Sequence, residues 1–132
     1  MSLKNITVEG CTLEFQNGGN NSAISITDGQ TSQKVKADGK PVYKTLKFTI
    51  SGYTASAEQS PTWIAGSGTG QGEITASAEH VKVEGNAVIL DGDTSAQITI
   101  NGQKQQGQSV VPDQVTEVVK VTKAGQDKAK GA

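Results

Sequence analysis

Histidine and cysteine are nearly missing from this chain, which has only His80 and Cys11. A single thiol closes no internal disulfide, which excludes a disulfide-stapled scaffold, and one His with one Cys falls short of a structural zinc set. Arginine is absent: all 12 basic residues are lysine, and against 13 acidic residues they leave a net charge of −1. Modules that grip duplex nucleic acid carry a strongly basic face, so nucleic acid is not an expected partner. Hydrophobic runs are short, the longest being Ala87-Val88-Ile89-Leu90. A membrane span takes about 20 apolar residues and a signal-peptide core about 7, so neither is expected.

Large apolar side chains are also scarce, with 33% of residues apolar and 4% aromatic. A chain of 132 residues suits one domain with a core that needs no staples. With 16 Gly and many Ser, Thr, Asn and Gln, much of its order must come from backbone pairing. Short strands of period two are marked by Ile6 and Val8, Ile24 and Ile26, Leu46, Phe48 and Ile50, Val81 and Val83, and Ile98 and Ile100. Asn17 to Asn21, Asp28-Gly29, Asp38-Gly39, Asn101-Gly102 and the glycines from Gly66 to Gly72 punctuate them. No stretch carries a helical apolar stripe, and the fold class expected is all-β.

Toward the C-terminus, Gln, Gly and Ser dominate from Gln103 to Pro112, which suggests a linker. Val115 to Val121 would then form one last strand. Lys120, Lys123, Lys128 and Lys130 stand against Asp127 alone, which suggests a solvated, mobile basic tail. The organisation expected is a β domain over 1–108 and an extension over 109–132.

Residues that could carry chemistry are few. Asp91-Gly92-Asp93, with Glu73 and Glu84, offers carboxylates for acid-base work or a calcium loop, but further ligands at fixed spacing are missing and turn-forming Asp is the simpler reading. The glycines from Gly66 to Gly72 lack the strand-to-helix context of a phosphate loop and read as a loop or a closely approached strand. Cys11 has no neighbouring His and reads as an inert thiol. His80 reads as a surface residue of a strand, and Trp63 as an aromatic lid over a small core. Asn5-Ile6-Thr7 and Asn20-Asn21-Ser22 match the glycosylation pattern, but no secretion signal supports their use. With no nucleophile, base or metal set to assemble, an enzyme is not expected.

Internal repetition says more. Thr7-Val8-Glu9-Gly10-Cys11-Thr12-Leu13, Lys36-Ala37-Asp38-Gly39-Lys40-Pro41-Val42 and Lys82-Val83-Glu84-Gly85-Asn86-Ala87-Val88 share a hydrophobic-acidic-glycine core. Phe48-Thr49-Ile50-Ser51-Gly52 is likewise similar to Ile98-Thr99-Ile100-Asn101-Gly102. Three copies suggest pseudo-threefold hairpins; acidic-glycine turns recurring by chance are the alternative.

From Gly72 to Asp93 the order of residues resembles the repeat of PAAR proteins. In that pattern a Gly-x-Ile start (Gly72, Ile74) is followed by a small-residue turn, a Val strand (Val81, Val83), Gly85, Ala87 and Val88, and a closing Gly92-Asp93. Gly39-Lys40-Pro41-Val42 reproduces the family's Gly-Lys-Pro-small portion, and Gly10 marks the remaining copy. The likeness covers roughly residues 33 to 102. It implies a compact conical, prism-like β-structure capping the trimeric central spike of a contractile injection machine, such as a type VI secretion system or phage tail. That implies one chain per trimer, paired through strand edges, with possible effector or baseplate contacts through the tail and transient contact with the target envelope. The chain would be assembled in the bacterial cytoplasm and delivered on contraction. Leu90 and Lys44 stand where the family has arginine, and its His/Cys cluster is missing, so no cofactor is expected and His80 and Cys11 are the only weak candidates for a tip metal. A different class of reading is an Ig-like β-sandwich that decorates a surface and binds glycan or protein.

Overall fold

Valine, isoleucine and aromatic residues alternating with Thr, Ser and Lys produce the longest pair of strands in the molecule. The computed structural model describes residues 3–132, apart from the side chains of 27–29 and 33. In chain order the strands are β1 (Lys4–Asn5), β2 (Thr12–Phe15), β3 (Ile24–Ala37), β4 (Lys40–Tyr53), β5 (Gly68–Glu73), β6 (Lys82–Val83), β7 (Asn86–Ala87), β8 (Ile98–Gln106), β9 (Ser109–Glu117), β10 (Val119–Lys123) and β11 (Lys130–Gly131). Besides one 3-10 turn at Asn21–Ala23, the described residues contain no helix. The chain is an all-β single domain. β3, β4, β5, β8 and β9 form one antiparallel sheet in that order, and the other pairs, β1 with β11, β2 with β10 and β6 with β7, are two-stranded. Among the described residues there is no second sheet of the size a β-sandwich packs against its first.

The alternating glycines are what let the centre of the sheet close. β5 lies between β4 and β8, and a Cβ on Gly72 would lie 2.8 Å from the Phe48 ring. One on Gly68 would lie 2.7 Å from Tyr53 Cβ and 2.9 Å from Ile100 Cγ2. Every second residue of β5 is therefore bare so that large neighbours can fill its core face. The similarity of 48–52 to 98–102 has a matching cause: Ser51 and Asn101 both pair with Thr69, from opposite sides of β5. Ile50 and Ile100 then converge on Gly70, where an added Cβ would stand 3.7 and 3.0 Å from their Cδ1 atoms. Trp63 packs against this core, and its indole N–H donates to the Tyr53 carbonyl at 3.1 Å.

The C-terminal quarter differs from the sequence expectation. Residues 103–112 are no linker but the two arms of the β8–β9 hairpin, paired from Gln103↔Pro112 to Gln106↔Ser109. Nor is 109–132 an appended extension with a mobile tail: β10 pairs with β2, β11 pairs with β1, and the His80 N–H donates to the Ala132 carbonyl at 2.9 Å. Val119 and Val121 are fully buried, as is Ala124 nearly so, while Lys123, Lys128 and Lys130 are exposed. The lysine count described only the outer face of chain whose inner face belongs to the core.

Candidate functional site: acidic-glycine turns around a small apolar cluster

Two of the repeated stretches fold alike, residue for residue. In each, two residues join two antiparallel strands, long in the first and short in the second: Asp38-Gly39 between Ala37 and Lys40, and Glu84-Gly85 between Val83 and Asn86. Both turn residues have positive φ, 51° and 77° in the first, 48° and 85° in the second. That is the mirror-image turn whose twist suits a tight hairpin, and glycine in its second position removes the Cβ penalty. Burial matches throughout. Lys36 and Lys82 are exposed, Ala37 and Val83 buried, the turns and the following Lys40 and Asn86 exposed, Pro41 and Ala87 half-buried, and Val42 and Val88 buried.

The first stretch shares only the glycine: Glu9, unlike Asp38 and Glu84, does not have positive φ, so its turn is of another type and no hairpin follows. Gly10 has φ 97°, and the Cys11 N–H closes the turn on the Val8 carbonyl at 3.1 Å. Residues before it are wedged between the other two copies: the Glu9 N–H donates to the Pro41 carbonyl at 3.0 Å and the Thr7 N–H to the Ile89 carbonyl at 2.8 Å. After Gly10 the chain leaves to pair with β10, because Leu13 and Phe15 belong to the main core. The expected three hairpins are thus two hairpins and a lone turn.

All three nevertheless meet. Val8, Ala37, Val42, Val83 and Val88 share one buried cluster with Ala78 and Leu90, against which Ile6, Val81 and Ala129 pack. No aromatic residue enters it, whereas the main core holds Phe15, Tyr43, Phe48 and Tyr53. The three stretches therefore meet over small apolar side chains, in a cluster separate from the aromatic-bearing main core. Gly10, Gly39 and Gly85 stand outward, with nothing within 4 Å of where a Cβ would sit.

The remaining motif residues divide. Gly72 and Ile74 lie in the main core and not at the turns. Gly92, with φ 90°, and Asp93 form a junction. Asp93 Oδ2 accepts the Leu90 N–H at 2.8 Å and the Ser77 N–H at 3.1 Å, its Oδ1 accepts the Ser77 hydroxyl, and its carbonyl accepts the Val121 N–H at 2.9 Å. This nearly buried carboxylate ties three segments together, a structural task that takes up the lone pairs a calcium ion would use. Lys40 Nζ donates to the Gly125 carbonyl at 2.7 Å, and Asp38 forms an exposed ion pair with Lys128 at 3.4 Å, a contact of little energetic weight.

Among the described residues, no three His, Cys, Asp or Glu side chains stand close enough together to hold a metal ion. His80 and Cys11 are not brought together into such a group. Burial pushes the Cys11 thiol up to about 11, so at neutral pH it is protonated and a poor nucleophile. Sequence reasoning missed the main polar hub, Glu117. Fully buried, it accepts the N–H groups of Asn17 at 2.9 Å, Gly19 at 3.1 Å and Val118 at 3.2 Å, and the Tyr53 hydroxyl at 2.6 Å. Most of these donors lie far away in sequence, and no local pattern marks the residue.

No protein-family model, curated protein or solved structure matches the chain.

Proposed function

We propose that this protein is the terminal cap of a trimeric spike in a contractile injection machine, bound as one chain per trimer and serving a mechanical role. The observation that carries the reading is the gathering of three acidic-glycine turns from one polypeptide around an aromatic-free cluster. Three related turns in one chain supply an approximately threefold feature without three copies, which suits a monomer seated on a trimer's axis. A point also has room for few side chains, so Val, Ala and Gly belong there. Termini woven into the sheets, and polar junctions at Asp93 and Glu117 with every oxygen occupied, leave little to yield under axial load.

Native mass spectrometry of this chain co-expressed with trimeric spike proteins of contractile particles tests the proposal. A complex of one chain with three spike subunits is expected. Three copies bound symmetrically, or no association with any such trimer, would reject it.

A further inference from the structure

Charge is distributed unevenly along the fold. Of 12 lysines and 13 acidic residues, only Glu58, Lys104 and Asp113 fall within 48–72 and 94–116. These stretches form one end of the molecule. β4 and β8 both run antiparallel to β5 and stand level at Ser51 and Asn101. The Asp38-Gly39 turn precedes Ser51 by most of the length of β4, whereas the β8–β9 turn at Gly107 follows Asn101. The segment from Thr62 to Ser67 is laced to this hairpin: the Ile64 N–H donates to the Gln103 carbonyl at 2.8 Å and the Gln105 N–H to the Thr62 carbonyl at 2.9 Å. The charge-poor end and the acidic-glycine turns are thus at opposite ends.

Resting on the cap reading, we infer that this charge-poor end, built on the β8–β9 hairpin, is the face that seats on the spike, and that the acidic-glycine turns point away from it. Charged residues are depleted at the centres of protein interfaces, where an unpaired charge loses its water without compensation. Here the surface is Gln105, Gln106, Gln108 and Ser109 around Val110, which is 51% exposed. Asp113 is already occupied, accepting the Ser60 hydroxyl at 2.6 Å and the Gln114 N–H at 2.9 Å. Beside it an open cavity of about 410 Å³ is lined by Asn17, Gln59, Thr99, Gln114, Val115 and Thr116, none of them charged. The matching occupant is an equally charge-poor spike terminus, since a highly charged one would meet only Glu58 and Lys104 beside the occupied Asp113.

Seating is by side chains and not by strand addition. Pro112 offers no N–H, the Gln114 N–H is taken by Asp113, and the Thr116 carbonyl accepts the side-chain amides of Asn17 at 3.2 Å and Gln59 at 3.4 Å. Over 112–116 that edge is a poor template for another strand.

The test compares the full chain with two double variants, Gln105→Glu with Val110→Glu on the hairpin, and Glu9→Lys with Glu84→Lys at the turns. All four positions are exposed, and matched unfolding midpoints verify that both variants fold. Binding to trimeric spike proteins, read by native mass spectrometry and surface plasmon resonance, should weaken at least tenfold in the hairpin variant and less than threefold in the turn variant. The opposite pattern overturns the orientation and leaves the cap reading standing, whereas failure of the unmodified chain to bind any spike overturns both. Self-association, or binding to phosphatidylcholine vesicles, that is lost in the hairpin variant would replace the spike by a second copy or a lipid surface and overturn the assignment.

Discussion

Glu84 is the residue held in the least comfortable conformation at the acidic-glycine turns. Its φ of 48° costs an ordinary side chain about 1 kcal/mol or more, and Asn pays much of that back through its tolerance of the left-handed region. Glu84→Asn is expected to raise stability by about 0.5–1 kcal/mol, and Gly85→Ala to lower it by about 1 kcal/mol, although its new methyl group would touch nothing. Urea denaturation of both variants checks the pair of signs. Three weak acids, the buried Tyr43 and Tyr53 and the half-buried Cys11, set the alkaline limit. Burial pushes Cys11 to about 11 from 9.0, burial with the nearby Cys11 and Glu9 charges pushes Tyr43 to about 12 from 10.0, and burial with the Glu117 hydrogen bond raises Tyr53 further. Each releases its proton more readily unfolded, so the unfolded chain binds fewer protons and stability falls as pH rises. Stability should be flat with respect to these groups below about pH 9 and fall between about 9 and 12. Cys11→Ser should flatten the part of that fall between about 9 and 11 in midpoints followed by fluorescence.

At the scale of elements, β5 is a strand whose contribution lies in what it omits. Gly72 faces the Phe48 ring, and Gly70 faces Ile100 Cδ1 at 3.0 Å and the Thr99 carbonyl at 3.3 Å, measured from where a Cβ would sit. Backbone on one side and packed rings on the other have nowhere to retreat. Gly72→Val should therefore cost at least about 3 kcal/mol through overpacking, despite the better strand propensity of valine. Gln71, exposed on the opposite face, gives the control: Gln71→Val should change stability by less than about 0.5 kcal/mol. Thermal unfolding of the two variants separates packing from propensity, and equal losses would show that the glycine face is not the cause.

At the scale of the whole molecule, the two ends of the chain close the fold together. β11 pairs with β1, the Ile6 N–H donates to the Ala129 carbonyl at 3.0 Å, and Gln126 Nε2 donates to the Ile6 carbonyl at 2.7 Å. Removing 119–132 would strip β2 of its partner and open both apolar clusters, to which Val119, Val121 and Ala129 belong. Such a truncation should lose its cooperative unfolding transition by circular dichroism. A tail lying outside the fold would be lost without effect.

The all-β class was legible in the sequence because period-two alternation and acidic-glycine turns are local properties, set by strand geometry and by the φ that each turn demands. The repeat at 36–42 and 82–88 was legible for the same reason. It identified two hairpins with the same turn and burial, and overreached at 7–13, where the turn is local but the strand after Gly10 is claimed by the distant β10. Only tertiary structure decided that the lysine-bearing C-terminus forms paired strands with a buried face, that 103–112 is a hairpin, and that Glu117 is a buried hub. Composition averages over both faces of a strand, and a buried carboxylate is satisfied by donors such as the Asn17 and Gly19 N–H groups, which the chain brings near it only on folding.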